Sequence, residues 1–322
     1  MDSGTLDETD RRLVHELQRD GRAPFSRLAK TLGISEHTVA RRYRRLLSLG
    51  LRITALPGGP RTGPTGWLLR ITCAPDASAK IADALARRPD TAWVALASGG
   101  TELHCALQGQ TPGEDNALLL DKLPHTPRVV AVGAYRLLHA FAGASEAWNL
   151  PAAPPGETEP GDRTEAPAPE AAPATWDAVD KQLLAALAPD GRATATDLAR
   201  ATGRSPVAVT RRLERLRAAG GVRFAVEFPP ERLGYQLLVR FWVHAESGRL
   251  GAVGTALAAH PEIPYVAATT GVSNLVATGM FRDGAELYDF LDRRIGALPG
   301  VQSAETTPIL REVKRLTSRT PR

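Results

Sequence analysis

Apolar residues recur at helical spacing in two separate segments, 6–50 and 176–220, and each segment predicts three short helices. Second helices are predicted over 25–32 and 196–202, each followed by a third. The apolar positions of the two first helices are Leu13, Val14 and Leu17, and Leu183, Leu184 and Leu187. Each segment therefore predicts a small helical domain.

The predicted first helices are bounded by residues that cap helices. Asp7 and Asp177 precede them, and an aspartate there accepts hydrogen bonds from the free backbone amides of the first turn. Gly21 and Gly191 follow, and we expect both to adopt the left-handed conformation that commonly ends a helix.

A tight turn separates the second predicted helix from the third. The tripeptides are Gly33-Ile34-Ser35 and Gly203-Arg204-Ser205, in which the glycine forms the turn and the serine caps the next helix. Pro206 suits the first position of that helix. Helix, short glycine-containing turn and helix is the helix-turn-helix pattern.

The other two blocks alternate apolar and polar residues and predict the series β-α-β-β-α-β, which is the ferredoxin-like order. In the later block the elements are predicted over 235–245, 248–259, 263–270, 273–281, 285–295 and 301–310. In the earlier block they are predicted over 67–73, 78–87, 92–97, 102–107, 114–122 and 129–138. The predicted fold class is α+β.

The chain contains one unit twice. Residues 6–50 align without gaps on residues 176–220, and 18 of 45 positions are identical, including Asp-Gly-Arg-Ala and a pair of arginines in the third helix. The two predicted ferredoxin-like blocks that follow these segments resemble each other more weakly. We refer to the two occurrences as the first and second copies.

Between the copies the composition changes. Residues 142–175 are rich in Pro, Ala and Glu, carry a net charge of −5 and are predicted to form a disordered acidic linker. A second interpretation is an autoinhibitory segment that docks on the basic segments. The predicted domains are 1–55 and 176–228 (helix-turn-helix), and 65–141 and 234–315 (ferredoxin-like), separated by this linker.

The net charge of +5 hides an uneven distribution, because residues 1–55 and 176–223 each carry +4. Basic segments of this kind attract polyanions. Only two cysteines occur, Cys73 and Cys105, which excludes a disulfide framework and favours reduced thiols in a cytoplasmic protein. No run of about 20 apolar residues predicts a membrane span, and the acidic N-terminus does not resemble a signal peptide. We expect no metal site and no cofactor.

The third helix of each copy carries the candidate chemistry. Arginine reads guanine edges or binds phosphate, and residues early in such a helix reach bases in the major groove of double-stranded DNA. The ordinary alternative is a three-helix domain with solvated arginines. The predicted DNA-contacting residues are Ser35, His37, Thr38, Arg41, Arg42, Arg44 and Arg45, and Ser205, Val207, Ala208, Thr210, Arg211, Arg212 and Arg215.

These two segments, each followed by an αβ block, resemble the Lrp/AsnC (feast/famine) family of transcriptional regulators. The resemblance covers nearly the whole chain outside the linker and the termini. It implies winged helix-turn-helix domains joined to ferredoxin-like effector and dimerisation domains, with amino acids or related small metabolites as effectors. Because both copies lie in one chain, it also implies a covalent pseudo-dimer that can assemble into a higher homo-oligomer, and a cytoplasmic, nucleoid-associated location.

In that family the turn between the middle strands typically reads Gly-x-x-Asp and lies at the effector site. The matching residues, which the resemblance makes the predicted effector site, are Gly99, Gly100, Thr101 and Glu102, and Gly271, Val272, Ser273 and Asn274. An acidic acceptor for an amino group is therefore kept in the first copy and lost in the second.

The chain is also similar in architecture to siroheme decarboxylases, which fuse the same units in tandem. Their catalysis is associated with His, Arg and Tyr near a Tyr-Asn-Leu-Trp run, which the strands over 100–109 and 272–281 lack. His104 is a candidate proton carrier, but a lone strand histidine is more often a packed or surface residue. A regulator rather than an enzyme is therefore the favoured interpretation.

Overall fold

The computed structural model describes residues 6–57, 66–107, 117–143, 176–315 and 318–319. The chain divides into two compact units, and each takes segments from both copies. The helical unit comprises Met1–Arg61 and Glu146–Gly234, and the sheet unit comprises Thr62–Ser145 and Tyr235–Arg322. The predicted acidic linker, apart from Ala142 and Gly143, lies outside the described residues.

The first copy begins with α1 (Glu8–Arg19), α2 (Phe25–Leu32), α3 (Glu36–Ser48) and strand β1 (Arg52–Pro57). The predicted caps are confirmed: Asp7 accepts from the backbone amide of Asp10 at 2.8 Å, and Ser35 from that of Thr38 at 3.1 Å. Gly33 ends α2 with φ of 69°, the left-handed conformation that glycine adopts without a steric cost.

The ferredoxin-like part of the first copy follows the predicted order. It contains β2 (Trp67–Cys73), α4 (Pro75–Ala86), β3 (Thr91–Ala97), β4 (Glu102–Leu107), a π-helical segment (Ala117–Lys122) and β5 (Val129–Ala142). The strands over 67–73 and 102–107 begin and end as predicted. The start of the predicted helix over 114–122 lies outside the described residues.

The second copy repeats the helical order with α5 (Ala178–Leu187), α6 (Ala195–Thr202), α7 (Pro206–Ala218) and β6 (Val222–Glu227). Asp177 caps α5 in a capping box with Asp180, Ser205 caps α7, and Pro206 occupies its first turn, as predicted. The sheet part contains β7 (Leu237–Ala245), α8 (Leu250–Ala258), β8 (Tyr265–Thr269), β9 (Leu275–Phe281), α9 (Gly284–Phe290) with a π-helical extension (Leu291–Ile295), β10 (Val301–Arg315) and β11 (Ser318–Arg319).

In the helical unit, the strand that follows each third helix pairs with its counterpart. β1 and β6 are antiparallel, with Arg52 opposite Glu227 and Pro57 opposite Val222. The core of the second copy includes Ala55 from β1, so the first copy completes it. The two helix-turn-helix segments therefore form one body.

The expected left-handed conformation of Gly21 and Gly191 is wrong, because positive φ values are found at other glycines and not at these two. Both glycines instead allow a close approach between the copies. A Cβ on Gly191 would lie 2.9 Å from the carbonyl oxygen of Ile53, and the Gly191 amide donates to that oxygen at 2.6 Å. A Cβ on Gly21 would lie 3.1 Å from the side chain of Phe224 in the second copy.

In the sheet unit, the strands described form one antiparallel sheet in the order β11-β10-β3-β4-β2-β5-β8-β9-β7, and β10 also pairs with β7. The sheet therefore closes into a barrel. Within each copy the fourth strand lies beside the first, followed by the third and second, as in ferredoxin-like folds. The seams between the copies are β10–β3 and β5–β8, in which the fourth strand of one copy pairs with the second strand of the other.

Alternate residues of the barrel strands serve different faces. The outward residues of the first copy, among them Leu69, Ile71 and Leu103, form a core with α4. Those of the second copy, among them Val239 and Phe241, form a core with the residues of α8 and α9. The intervening residues therefore point into the barrel.

The two cysteines are free and buried. They lie on neighbouring strands, where Cys105 stands opposite Leu69 rather than Cys73. Burial raises the pKa of the Cys105 thiol to about 12, which keeps it protonated and unreactive. Of the helices that the structure describes, none combines the length and the apolar character that crossing a membrane would require.

Candidate functional site

The third helices, α3 and α7, present the basic residues that the sequence singled out. Capping serines fix where each helix begins, and the buried Val39, Leu46, Val209 and Leu213 fix which face is turned inward. The predicted DNA-contacting residues that are exposed are Ser35, His37, Arg41, Arg44, Ser205, Val207, Ala208, Thr210, Arg211 and Arg215, while Thr38 is half-buried. Arg41 and Arg211 are equivalent positions of the repeat, and both are exposed.

Arg42 and Arg212 are turned away from that face. Arg42 donates to Asp7 at 2.7 Å and to Asp10 at 2.8 Å, and the Asp10 side chain is fully buried. Arg212 donates to Asp180 at 2.6 Å and also pairs with Asp177. The hydrogen bonds of Arg212 to these carboxylates raise its pKa further, so it stays charged. These two arginines bind the third helix to the N-terminus of the first.

Arg45 and Arg215 are also equivalent positions, but their environments differ. Arg45 is an additional partner of Asp10 in the first copy. Arg215 is exposed in the second copy. Consecutive arginines on a helix point about 100° apart, which separates Arg41 from Arg42. Three of the predicted contacts (Arg42, Arg45 and Arg212) therefore have a structural role within the domains.

A reciprocal pair of arginines joins the two helix-turn-helix segments. Arg22 donates to the carbonyl oxygens of Gly191 and Ala193 at 2.5 and 3.2 Å. Arg192 donates to those of Gly21 and Ala23 at 2.8 and 3.0 Å and lies 4.8 Å from the ring centre of Phe25. In the sequence the repeated Asp-Gly-Arg-Ala predicts only the end of the first helix, not a contact between the copies. Its exact recurrence in both copies was the available signal.

In the first predicted effector turn, Gly99 and Gly100 have φ values of 67° and 87° and adopt a single 3₁₀ turn with Ser98. Nothing lies within 4 Å of a Cβ built on either glycine, and Thr101 is exposed. Glu102 is buried and accepts from Arg70 at 2.8 Å and from His104 at 2.5 Å. Burial raises the pKa of Glu102, but these two partners outweigh it and hold the pKa below its usual value.

In the second turn, Asn274 replaces the acidic residue and bonds to the backbone. Its side-chain amide donates to the carbonyl oxygen of Ala245 at 2.7 Å and accepts from the amide of the same residue at 2.9 Å. Ser273 accepts from Thr269 through its carbonyl oxygen, and Val272 is 81% exposed. Gly271 packs against the ring of Tyr135, a first-copy residue. Both acidic-position residues are thus engaged within the protein.

His104 lies inside the barrel and is fully buried, which confirms its interpretation as a packed residue. Its ring centre is 5.5 Å from that of Trp242. Burial lowers the pKa of His104, with Arg240 contributing in the same direction, so the ring is neutral at pH 7.

Comparison with known protein families matches three segments of the chain. The AsnC-type helix-turn-helix domain matches residues 6–47 and 177–217, and the Lrp/AsnC ligand binding domain matches residues 238–318. These matches cover both helix-turn-helix segments and the ferredoxin-like part of the second copy.

The full length of each related protein corresponds to about one copy of the repeat in this chain. The HTH-type transcriptional regulator FL11 of Pyrococcus horikoshii is 33% identical over 142 residues, which is 44% of this chain and 93% of the relative. The regulator LrpA of the same organism is 28% identical over 136 residues, 42% of this chain and 96% of the relative. A solved structure, the siroheme decarboxylase NirDL, covers 96% of this chain and 93% of its own with a TM-score of 0.60. At 15% identity this likeness shows a shared fold only.

Proposed function

This chain belongs to the Lrp/AsnC family of transcriptional regulators, and we propose that it binds one operator as a covalent pseudo-dimer. The observation that carries the proposal is the joined helical unit, in which two capped third helices each expose an arginine at the same position, Arg41 or Arg211. The pairing of β1 with β6 holds these helices in one body. We infer that each enters a major groove, since the early residues of such a helix reach base edges there.

The two helices present different chemistry at equivalent positions. His37 and Thr38 of the first copy correspond to Val207 and Ala208 of the second, and Val207 is 79% exposed. Hydrogen-bonding side chains read donor and acceptor edges, whereas small apolar side chains contact the thymine methyl group. We therefore propose an operator with two unlike halves, with a thymine-containing half bound by α7.

For the effector we propose a small metabolite, of the amino-acid type, bound at the exposed turns. Open space at Gly99 and Gly100 supports binding to the backbone of that turn. The side chains of Glu102 and Asn274 are already bonded, so the effector's polar groups would meet backbone groups and Thr101 rather than these two residues. A thermal-shift screen of amino acids tests this, and no shift with any of them would refute it.

We propose a regulator and not an enzyme. The fold shared with NirDL supports the alternative, a decarboxylase of tetrapyrrole carboxylates, only at the level of architecture. The exposed arginines of both third helices favour DNA as the partner, and the expected location is the cytoplasm, at the nucleoid. Mixing the protein with siroheme distinguishes the two, because an enzyme of that kind would develop tetrapyrrole absorbance on the protein and a regulator would not.

The experiment that tests the proposal is a binding titration on operator DNA selected from a random library. We expect saturable binding that weakens as salt rises, because phosphate contacts release counterions. Binding that fails to saturate on any selected sequence would exclude a specific regulator.

A further inference from the structure

The interior of the barrel contains a cluster of polar side chains contributed by both copies. Strand alternation turns them inward, since their neighbours on each strand form the outer cores. Leu68, Ala267 and Val276 form the apolar part of this interior. Its polar and aromatic members are Arg70, Glu102, His104 and Trp93 from the first copy, and Arg240, Trp242, Tyr265 and Thr278 from the second.

One side of this cluster is fully paired. Arg70 binds Glu102 through Nε at 2.8 Å and binds Glu305 through the other guanidinium nitrogens at 3.0 and 2.5 Å. The side chain of Arg70 is 25% exposed and that of Glu305 is 53% exposed. This pair therefore lies at a solvent-reachable rim of the barrel interior.

Arg240 has no such ion pair among the residues that the structure describes. It is 3% exposed, and its Nε is buried without a hydrogen-bond partner. Its guanidinium lies 4.6 Å from the ring centre of Trp93 and 5.8 Å from that of Tyr265. Desolvation lowers its pKa to about 10, so it is still charged at neutral pH. A buried charge without an anion is strongly unfavourable, and the residues opposite Arg240 on the two neighbouring strands, Thr278 and Thr307, are neutral.

In the barrel interior three more buried polar atoms lack a hydrogen-bond partner among the residues described: Trp242 Nε1, Thr278 Oγ1 and His104 Nδ1. Thr278 stands directly opposite Arg240 in the β7–β9 pairing. His104 packs against Trp242, and Arg240 is close enough to lower its pKa. These three groups and Arg240 are thus neighbours within one cluster.

The hydrogen bond that His104 makes through Nε2 determines whether its other ring nitrogen, Nδ1, carries a proton. Glu102 is held ionised by Arg70, so it can only accept, and His104 Nε2 must donate to it. In a neutral ring the proton is then on Nε2, and Nδ1 presents a lone pair. The interior therefore offers donors from Arg240, Trp242 and Thr278 and one acceptor from His104.

We propose that the barrel interior binds a small carboxylate that also carries a hydrogen-bond donor, such as a hydroxyl group. The carboxylate pairs with the Arg240 guanidinium and accepts from Thr278 or Trp242, and the ligand's own donor bonds to His104 Nδ1. Charge-assisted bonds to arginine are the strongest of these contacts. This site is separate from the exposed turns, and its occupation does not require DNA.

The test is isothermal titration of the full-length protein, without DNA, with sodium glycolate at constant ionic strength. Acetate has the same charge and lacks the hydroxyl, and chloride controls for nonspecific ion effects. We expect saturable binding of glycolate, several-fold weaker binding of acetate and no saturable signal from chloride. Absence of glycolate binding, or equal affinity for glycolate, acetate and chloride, would overturn the proposal.

Three substitutions test whether glycolate binds inside the barrel. Arg240→Met keeps an unbranched apolar stem and removes the buried charge, so we expect a folded protein whose affinity for glycolate falls at least tenfold. Thr278→Val is nearly isosteric and should weaken binding about threefold or more. Arg311→Met removes an exposed arginine of the same unit and should bind like the wild type. Unchanged affinity in Arg240→Met and Thr278→Val would place the ligand elsewhere and contradict the assignment.

Discussion

Arg22 of the first copy binds the backbone of the second copy, and Arg192 of the second copy binds the backbone of the first. Each guanidinium donates to the carbonyl oxygens of the other copy's Gly and Ala in Asp-Gly-Arg-Ala. At Gly191 the opposing backbone of Ile53 leaves no room for a Cβ, and at Gly21 the side chains of Ile53 and Phe224 crowd that position. The repeated tetrapeptide therefore joins the two helix-turn-helix segments, in addition to the pairing of β1 with β6.

Gly191→Ala should weaken this junction. The new methyl group would lie 2.9 Å from the carbonyl oxygen of Ile53, and overpacking of this kind costs about 1–3 kcal/mol. Urea unfolding of the full chain measures the change. Gly251→Ala is the matched control, because nothing lies within 4 Å of its added Cβ and the substitution favours the helix. Equal stability of the two variants would show that the close approach is not required.

Arg212→Ala should destabilise the protein more than Arg42→Ala. In the second copy Arg212 is the cation bound to the buried Asp180, whereas in the first copy Arg45 still pairs with Asp10 after Arg42 is removed. Leaving a buried carboxylate without its cation costs about 3 kcal/mol or more, and we expect about 1 kcal/mol for Arg42→Ala. Chemical denaturation compares them, and a larger loss in Arg42→Ala would contradict the assigned pairing.

Arg41→Ala and Arg211→Ala should each weaken operator binding by about 1–3 kcal/mol if the arginine makes a bidentate base contact, with little effect on unfolding. Fluorescence anisotropy on the selected operator measures the affinity. Arg87→Ala, which removes an exposed arginine of the sheet unit, is the control and should bind normally. Wild-type affinity in both test variants would exclude these residues from the interface.

The sheet unit should lose stability in acid through Glu102. Burial favours the protonated form, but His104 and Arg70 stabilise the carboxylate more, and the net pKa is lowered. The stabilisation is therefore complete above the usual value near 4.5 and is lost as the pH falls through the lower pKa of the folded protein. Urea midpoints between pH 7 and pH 3 should fall less steeply in Glu102→Gln than in the wild type. Parallel pH profiles would contradict this linkage.

Local signals in the sequence were sufficient for the helices. The caps at Asp7, Asp177, Ser35 and Ser205, and both ferredoxin-like series, are found where residue type and spacing placed them. Gly21 was assigned to helix termination because its actual neighbour, Ile53, is 32 residues away and belongs to a strand pairing that local sequence does not encode.

The role of the arginines was harder to predict. Arg41 and Arg42 are adjacent residues of the same type. Arg41 is exposed and Arg42 is ion-paired only because consecutive helix residues point in different directions. A signal did exist: Asp10 and Arg42, and Asp180 and Arg212, are 32 residues apart in both copies. The polar interior of the barrel could not be predicted, since strand alternation alone does not distinguish a solvated face from the inside of a closed sheet.

The most direct test of the central claim is selection of binding sites from random duplex DNA by the full-length protein. Two joined but unlike third helices predict one enriched site with two different half-sites, and Arg211→Ala should relax base preference in only one of them. Enrichment of a perfect inverted repeat, or of no sequence at all, would contradict this assignment.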